Sequence, residues 1–183
     1  SHMHPLRGER LMIVSNGAAP AAMALDELLG RNGKLATLSD ESLAKLSDAL
    51  PDFIRAGNPL DLRDDATPQR SLAAIEALLD SHDYDALLLI HAPSAAAPGT
   101  ATAERLIDAL HRHARGKRIT LLTNWCGEYS SQEARRLFTE AAIPTYRTPE
   151  GAVTAFMHMV EYRRNQKQLK ETPALPDRKS TRL

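Results

Sequence analysis

Apolar residues along this chain fall into five short runs, each followed by a stretch with helical spacing. Residues 11–14, 34–38, 86–90, 119–122 and 143–146 read as strands. The run at 86–90 is apolar throughout, the pattern of a strand buried on both faces. Between these runs the apolar positions recur every three to four residues. The stripes are Met23, Leu25, Leu28 and Leu29; Leu43, Leu46 and Leu50; Leu72, Ile75, Leu78 and Leu79; Leu106, Ile107 and Leu110; Leu137 and Phe138; and Val153, Phe156, Met157 and Val160. Start and stop signals frame them. Pro20 suits a first helical position, Gly30 closes the first helix and Pro51 stops the second. Ser39 and Thr67 read as caps, Ser130 with Glu133 as a capping box, and Thr148-Pro149 as the start of the last helix. Residues 53–62, FIRAGNPLDL, fit neither period and read as a shaped loop in which Pro59 biases Asn58 to an extended conformation.

Strands alternating with helices over short connections predict an α/β fold: three layers, flavodoxin-like, with helices on both faces of a five-stranded parallel sheet in the order 2-1-3-4-5. In such sheets ligands bind beyond the strand C-termini, where the strand order reverses. That rule gathers the polar and glycine-bearing loops at one edge: Asn16, Gly17, Ala18 and Ala19; Asn58, Pro59 and Asp61; His91 to Ser94 with Pro93; and Asn124, Trp125 and Gly127. The turn Ser15-Asn16-Gly17 feeds a helix through small residues, an arrangement whose free backbone N–H groups attract anions such as phosphate.

Composition narrows the classes. The chain has 183 residues, enough for one well-packed domain, with 23 basic and 23 acidic side chains. From Tyr162 onward seven are basic and two acidic, which leaves the body at −5. A mildly acidic body argues against a nucleic-acid partner. No apolar run approaches the roughly 18 residues of a membrane span and no signal peptide is evident, so the expected location is the cytoplasm. One cysteine, Cys126, rules out an internal disulfide and reads as an ordinary reduced thiol. Residues 1–9 read as tag and linker, 10–172 as the domain and 173–183 as a loose tail.

The remaining motifs carry little chemistry. Neither a G-x-x-x-x-G-K-[ST] phosphate loop nor G-x-G-x-x-G occurs. His111 and His113 lie two apart, off a common helical face, and no Cys/His spacing suits zinc, so no metal is expected. Asp61 suits either a ligand or a local turn, Trp125 a cover for the crevice, a contact with another domain or packing, and neither choice is settled by the residues alone.

Longer stretches carry a resemblance. IVSNGAAPAAMALDEL, GNPLDL, the NWCG loop and IPTYRTPEGAVTAFMHMVEYRR follow one another as in the NDP-forming acyl-CoA synthetases, over about residues 10–164. The wording of NWCGEYSSQEARRLF and AFMHMVEYRRNQKQL is most similar to the synthetase-like region of Pat-type bacterial protein lysine acetyltransferases, in which that region is fused to a GNAT domain. The resemblance implies a helix N-terminus aimed at a phosphohistidine, with the amides supplied at Asn16, Gly17, Ala18 and Ala19 and the Asn58–Pro59–Asp61 loop beside them. It also implies CoA-binding, ATP-grasp and GNAT domains as partners in the same polypeptide. Acetyl-CoA or CoA and ATP or ADP are then cofactors of the parent, with none held by this domain. No catalytic residue is expected in this stretch, and self-association through the last helix is a further expectation. Ala18-Ala19 and Glu128 stand where synthetases commonly carry glycines, which narrows the approach of a phosphate. Two readings follow: a sensing or scaffolding module of an acetyltransferase, or the phosphohistidine-stabilising domain of a working acyl-CoA synthetase.

Overall fold

The computed structural model describes residues 5–171 apart from 117. The expectations for a tag at 1–4 and a loose tail at 173–183 lie outside the described residues. Six parallel strands and six helices alternate: β1 (Arg10–Ser15), α1 (Ala18–Gly30), β2 (Lys34–Leu35), α2 (Asp40–Ala49), β3 (Leu60–Asp61), α3 (Pro68–Leu79), β4 (Ala86–His91), α4 (Gly99–Arg112), β5 (Thr120–Trp125), α5 (Gln132–Glu140), β6 (Thr145–Tyr146) and α6 (Pro149–Glu171). The sheet order is β2-β1-β4-β5-β6, which is the expected 2-1-3-4-5 order with one strand added. The addition is β3, from the stretch expected as a loop. β2 pairs with the start of β1 (Arg10 with Lys34, Leu11 with Leu35), and β3 pairs with its end (Val14 with Leu60, Ser15 with Asp61). Two residues are too few to show a period of two, so β3 left no signal in the sequence.

The central strands β1, β4 and β5 alternate their side chains between two cores. Met12, Val14, Leu87, Leu89 and Leu121 face α2 to α5, where Leu46, Ile75, Leu78, Leu106 and Phe138 complete one core. Leu11, Ile13, Leu88, Ile90 and Leu122 face α1 and α6, against Leu28, Val153, Phe156, Met157 and Val160. Burial on both faces explains why these strands read as continuous apolar runs.

Two local expectations are corrected. The α1 stripe is not Met23 and Leu29, which are exposed; the helix buries Ala21, Ala24 and Leu28 instead, a face of small residues turned toward α6. The Ser130–Glu133 capping box does not form. Ser131 is the N-cap of α5, its hydroxyl donates to the Cys126 carbonyl, and Glu133 pairs with Arg136 at 2.6 Å. The caps Ser39 and Thr67 act as expected, accepting from the N–H groups of Ser42 and Arg70.

Residues 5–9, expected as linker, pack on the fold. Leu6 is buried, and Glu9 accepts hydrogen bonds from Arg164 at 2.9 and 2.8 Å, with Arg163 and Lys34 also within 4 Å. Among the described residues no helix is long and apolar enough to cross a membrane.

One long-range cap ties α2 to the turn before β4. The Asp83 carboxylate accepts from Ser39 N and Ser39 Oγ, each at 2.9 Å, and from Ser42 Oγ at 2.6 Å. Those donors hold its pKa down at about 2, against the opposing cost of burial. The ionised form is thus favoured by folding. The stabilisation is complete above the ordinary carboxylate range, near pH 4, and is lost as pH falls through about 2. Discounted for the water that reaches this partly exposed group, it amounts to about 1 kcal/mol. Urea midpoints measured at pH 7, 4 and 2 should fall less between pH 4 and 2 in Asp83→Asn than in the parent chain; equal slopes would refute the assignment.

Candidate functional site

The strand C-termini converge as expected, but many of the polar side chains there are occupied in holding the strands together. At the end of β1 the Ser15 hydroxyl accepts from Gly17 N at 2.9 Å and donates to Gly17 O at 2.8 Å, closing the turn. Asn16 is 2% exposed and its amide reaches across to the end of β4: Nδ2 donates to the Ala92 carbonyl and Oδ1 accepts from Ala92 N, both at 2.7 Å. Gly17 has an ordinary extended backbone, so its lack of a side chain matters for space. A Cβ there would sit 2.8 Å from Pro20 Cγ and 2.9 Å from Ala92 Cβ.

The N-terminus of α1 is open. Gly17 at the N-cap has no side chain to accept from the first turn, no acidic residue occupies that turn, and Ala18 and Ala19 are exposed. The free N–H groups and the positive end of the helix dipole therefore face solvent without an internal partner.

Other predicted residues sort differently. Asn58 follows the turn into a cis peptide bond with Pro59, and its side chain lies in the sheet edge. Its Oδ1 accepts from Ile13 N at 3.0 Å, while Nδ2 donates to the Leu11 and Ala36 carbonyls, both at 2.9 Å. Asp61 is exposed and its Oδ1 accepts from Arg63 N at 2.8 Å, the local-turn alternative. Arg63 adopts the left-handed region at φ 69° to complete that turn. Pro59 and Asp61 line a shallow cavity of about 380 Å³ with Phe53, Arg55 and Arg63. Ser94 donates to the Asp64 carbonyl at 2.6 Å, and exposed Pro93 lies beside Gly127.

Asn124 is fully buried; its Nδ2 donates to the Tyr146 carbonyl at 2.9 Å and its Oδ1 accepts from Cys126 Sγ at 3.3 Å. Trp125 is 1% exposed and packs inside the fold. It stacks on His91 with centroids 5.0 Å apart, meets Phe138 edge-on at 4.6 Å and donates from Nε1 to the Gly99 carbonyl at 3.0 Å. His91 is held by the Ala97 carbonyl at 3.1 Å, and burial lowers its pKa to about 4, which keeps it neutral. Burial likewise pushes the Cys126 thiol up, against a nucleophile.

Gly127 is the one glycine of the site whose dihedrals demand it, at φ 96°. Its carbonyl and that of Trp125 accept from Arg135 at 2.7 and 2.8 Å. Arg135 shapes the crevice and carried no sequence signal, because its guanidinium reaches backbone carbonyls eight and ten residues earlier across the loop. Glu128, which stands where synthetases commonly carry a glycine, is paired with Arg147 at 3.3 Å. Gly17, Ala18, Ala19, Pro93 and Gly127 are thus brought to one accessible edge, whereas Asn16, Asn58, Asn124 and Trp125 support it from within. Among the described residues no group of His, Cys, Asp or Glu could hold a metal ion.

No family model matches the chain. It is 29% identical over 161 residues to the alpha subunit of ADP-forming acetate–CoA ligase II from Pyrococcus furiosus, covering 87% of this chain and 35% of the relative. An ADP-forming acetate–CoA ligase from Methanocaldococcus jannaschii is 31% identical over 150 residues, covering 82% and 21%. Among solved structures, a Pyrococcus horikoshii OT3 protein superposes with a TM-score of 0.80 at 30% identity, covering 89% of this chain and 38% of that one. The dinucleotide-forming acetyl-coenzyme A synthetase 1 of Ca. Korarchaeum cryptofilum, solved apo and with phosphate and ADP, gives 0.85 at 22% identity. It covers 94% of this chain and 38% of the apo chain, and at that identity it supports the fold alone. The chain spans between a fifth and about a third of the length of the curated relatives. Over that span it is homologous to a segment of ADP-forming acetate–CoA ligases.

Proposed function

We propose that this chain is the flavodoxin-like segment of an NDP-forming acyl-CoA ligase, and that the N-terminus of α1 stabilises a phosphohistidine presented by another segment of that enzyme. The observation that carries the reading is the open first turn of α1 at the end of β1, uncapped and without an acidic residue. Phosphate oxygens would complete the N–H groups that the helix leaves unpaired. The similarity to ADP-forming ligases supports the same chemistry, and it favours the working-synthetase reading over a sensing module of a Pat-type acetyltransferase. In this reading the GNAT domain is dropped, and CoA-binding and ATP-grasp segments remain the partners.

The parent then converts acetate or a related acid, CoA and ATP to the acyl-CoA, ADP and phosphate, in either direction. This segment binds and orients the phosphoryl group in transit and forms no covalent bond itself. The test uses the full-length enzyme. Incubation with γ-labelled ATP should give an acid-labile phosphohistidine, and acyl-CoA should form on adding acetate and CoA. Gly17→Val forces a branched side chain into Pro20 and Ala92 and displaces the turn. The rate should fall about 100-fold, the scale of misplacing or losing one pre-aligned donor. An unlabelled wild-type enzyme, or a Gly17→Val variant at full rate, sinks the proposal.

A further inference from the structure

The opposite end of the sheet, where the strands begin, holds a second concavity. A cavity of about 670 Å³ opens between the residues leading into β1, β4 and β5, within the size range of small-molecule sites. Three arginines line it, Arg7, Arg115 and Arg118, together with His82, Asp85 and Ile119. The single carboxylate among them is already neutralised: Asp85 accepts from Arg10 Nε at 2.9 Å, Nη2 at 3.2 Å and the backbone N at 2.9 Å. Two nearby acids are engaged as well, Asp80 with His113 at 3.2 Å and Asp83 with the serines that cap α2.

Among the described residues none of the three lining arginines has a carboxylate partner, whereas Arg31, Arg70, Arg136, Arg147 and Arg164 each have one. Arg115 is held in position, its Nη1 donating to the Ser81 carbonyl at 2.6 Å and lying 3.1 Å from His82 Nδ1. The connection that supplies two of the arginines, HRHARGKR at 111–118, has four Lys/Arg, two His and no acid in a body that is otherwise acidic. Cations gathered around one concavity repel one another until an anion joins them, and guanidinium matches phosphate oxygens in geometry.

We propose that this cavity binds a small organic phosphate carrying two or more negative charges, with its phosphates on Arg7, Arg115 and Arg118 and its organic part against Ile119. The cations line a pocket and not an extended stripe, which favours a small molecule over a nucleic acid. The proposal is independent of the phosphohistidine reading, since α1 begins at the other end of the sheet.

Calorimetric titration of the purified chain with pyrophosphate and with ADP, in 50 and 200 mM salt, tests it. One saturable site is expected, weaker at the higher salt. Arg118 and Arg7 are exposed, so Arg118→Glu and Arg7→Glu should melt like the parent chain while each weakens binding at least tenfold. Absence of saturable binding would overturn the proposal. So would equal affinity in both charge reversals, loss of binding on Gly17→Val in their place, or tighter binding to a single-stranded oligonucleotide that grows with its length.

Discussion

Replacing Trp125 with Ala is expected to destabilise the fold by about 4 kcal/mol, the usual cost of deleting a fully buried indole. For a chain of this size that corresponds to a fall of about 12 °C in Tm. The loss has three parts. The indole fills the space between His91 and Phe138, its ring contacts there are lost, and the Gly99 carbonyl is left without its donor. Trp125→Phe keeps the ring contacts and gives up the hydrogen bond and part of the volume, so it should cost about 1–2 kcal/mol. Urea unfolding and calorimetry of both variants check the ordering. A side chain whose work is to cover a bound ligand would behave differently, leaving the unliganded Tm within about 2–4 °C of the parent.

Asn58→Ala is expected to cost about 3 kcal/mol, because one side chain stands in for a missing piece of strand. β2 leaves the edge of β1 after Leu11 and β3 arrives at Val14, so Ile13 N has no strand beside it, while Leu11 O keeps a backbone partner in Ala36 N at 2.8 Å. The Asn58 amide fills the gap, its Oδ1 accepting from Ile13 N and its Nδ2 donating to the Leu11 and Ala36 carbonyls. Alanine leaves Ile13 N and the Ala36 carbonyl without this partner and takes the second donor from Leu11 O. Asn58→Asp should be no better at neutral pH, since a carboxylate accepts from Ile13 N but offers nothing to two carbonyls. Hydrogen exchange provides a local readout: the Ile13 amide should lose protection in both variants beyond the global change. Unaltered protection at Ile13 would refute the role.

These two residues show what the sequence made legible. The layers, the strand order and the edge that gathers the loops followed from five apolar runs and the connection lengths between them, because a parallel sheet covered on both faces requires apolar residues at successive positions. The position of the crevice followed from that topology. The duties of its side chains did not. An asparagine that pairs a backbone carbonyl and one that pairs a ligand are the same letter in the same loop, and Asn16, Asn58 and Asn124 all turned out to join neighbouring strands. Trp125 depends on a register that places it beside His91 across β4 and β5, a relation between residues 34 apart. The exposure of Met23 and Leu29 has a similar origin, since the face that α1 buries is set by α6, more than 100 residues later. The open turn at Gly17 was visible because it depends on adjacent residues.

The outer strands of the sheet are two residues long on both sides, β2 and β3 on one and β6 on the other. Long bare strand edges are templates on which another chain can add itself, the first step of edge-to-edge aggregation. Here one lateral boundary is broken into two fragments joined by an amide side chain, and the other ends after a single dipeptide. The central strands, apolar enough to be hazardous if uncovered, are each flanked within the molecule. Partners that assemble with this chain therefore have its helices and loops to grip, and almost no ladder to extend.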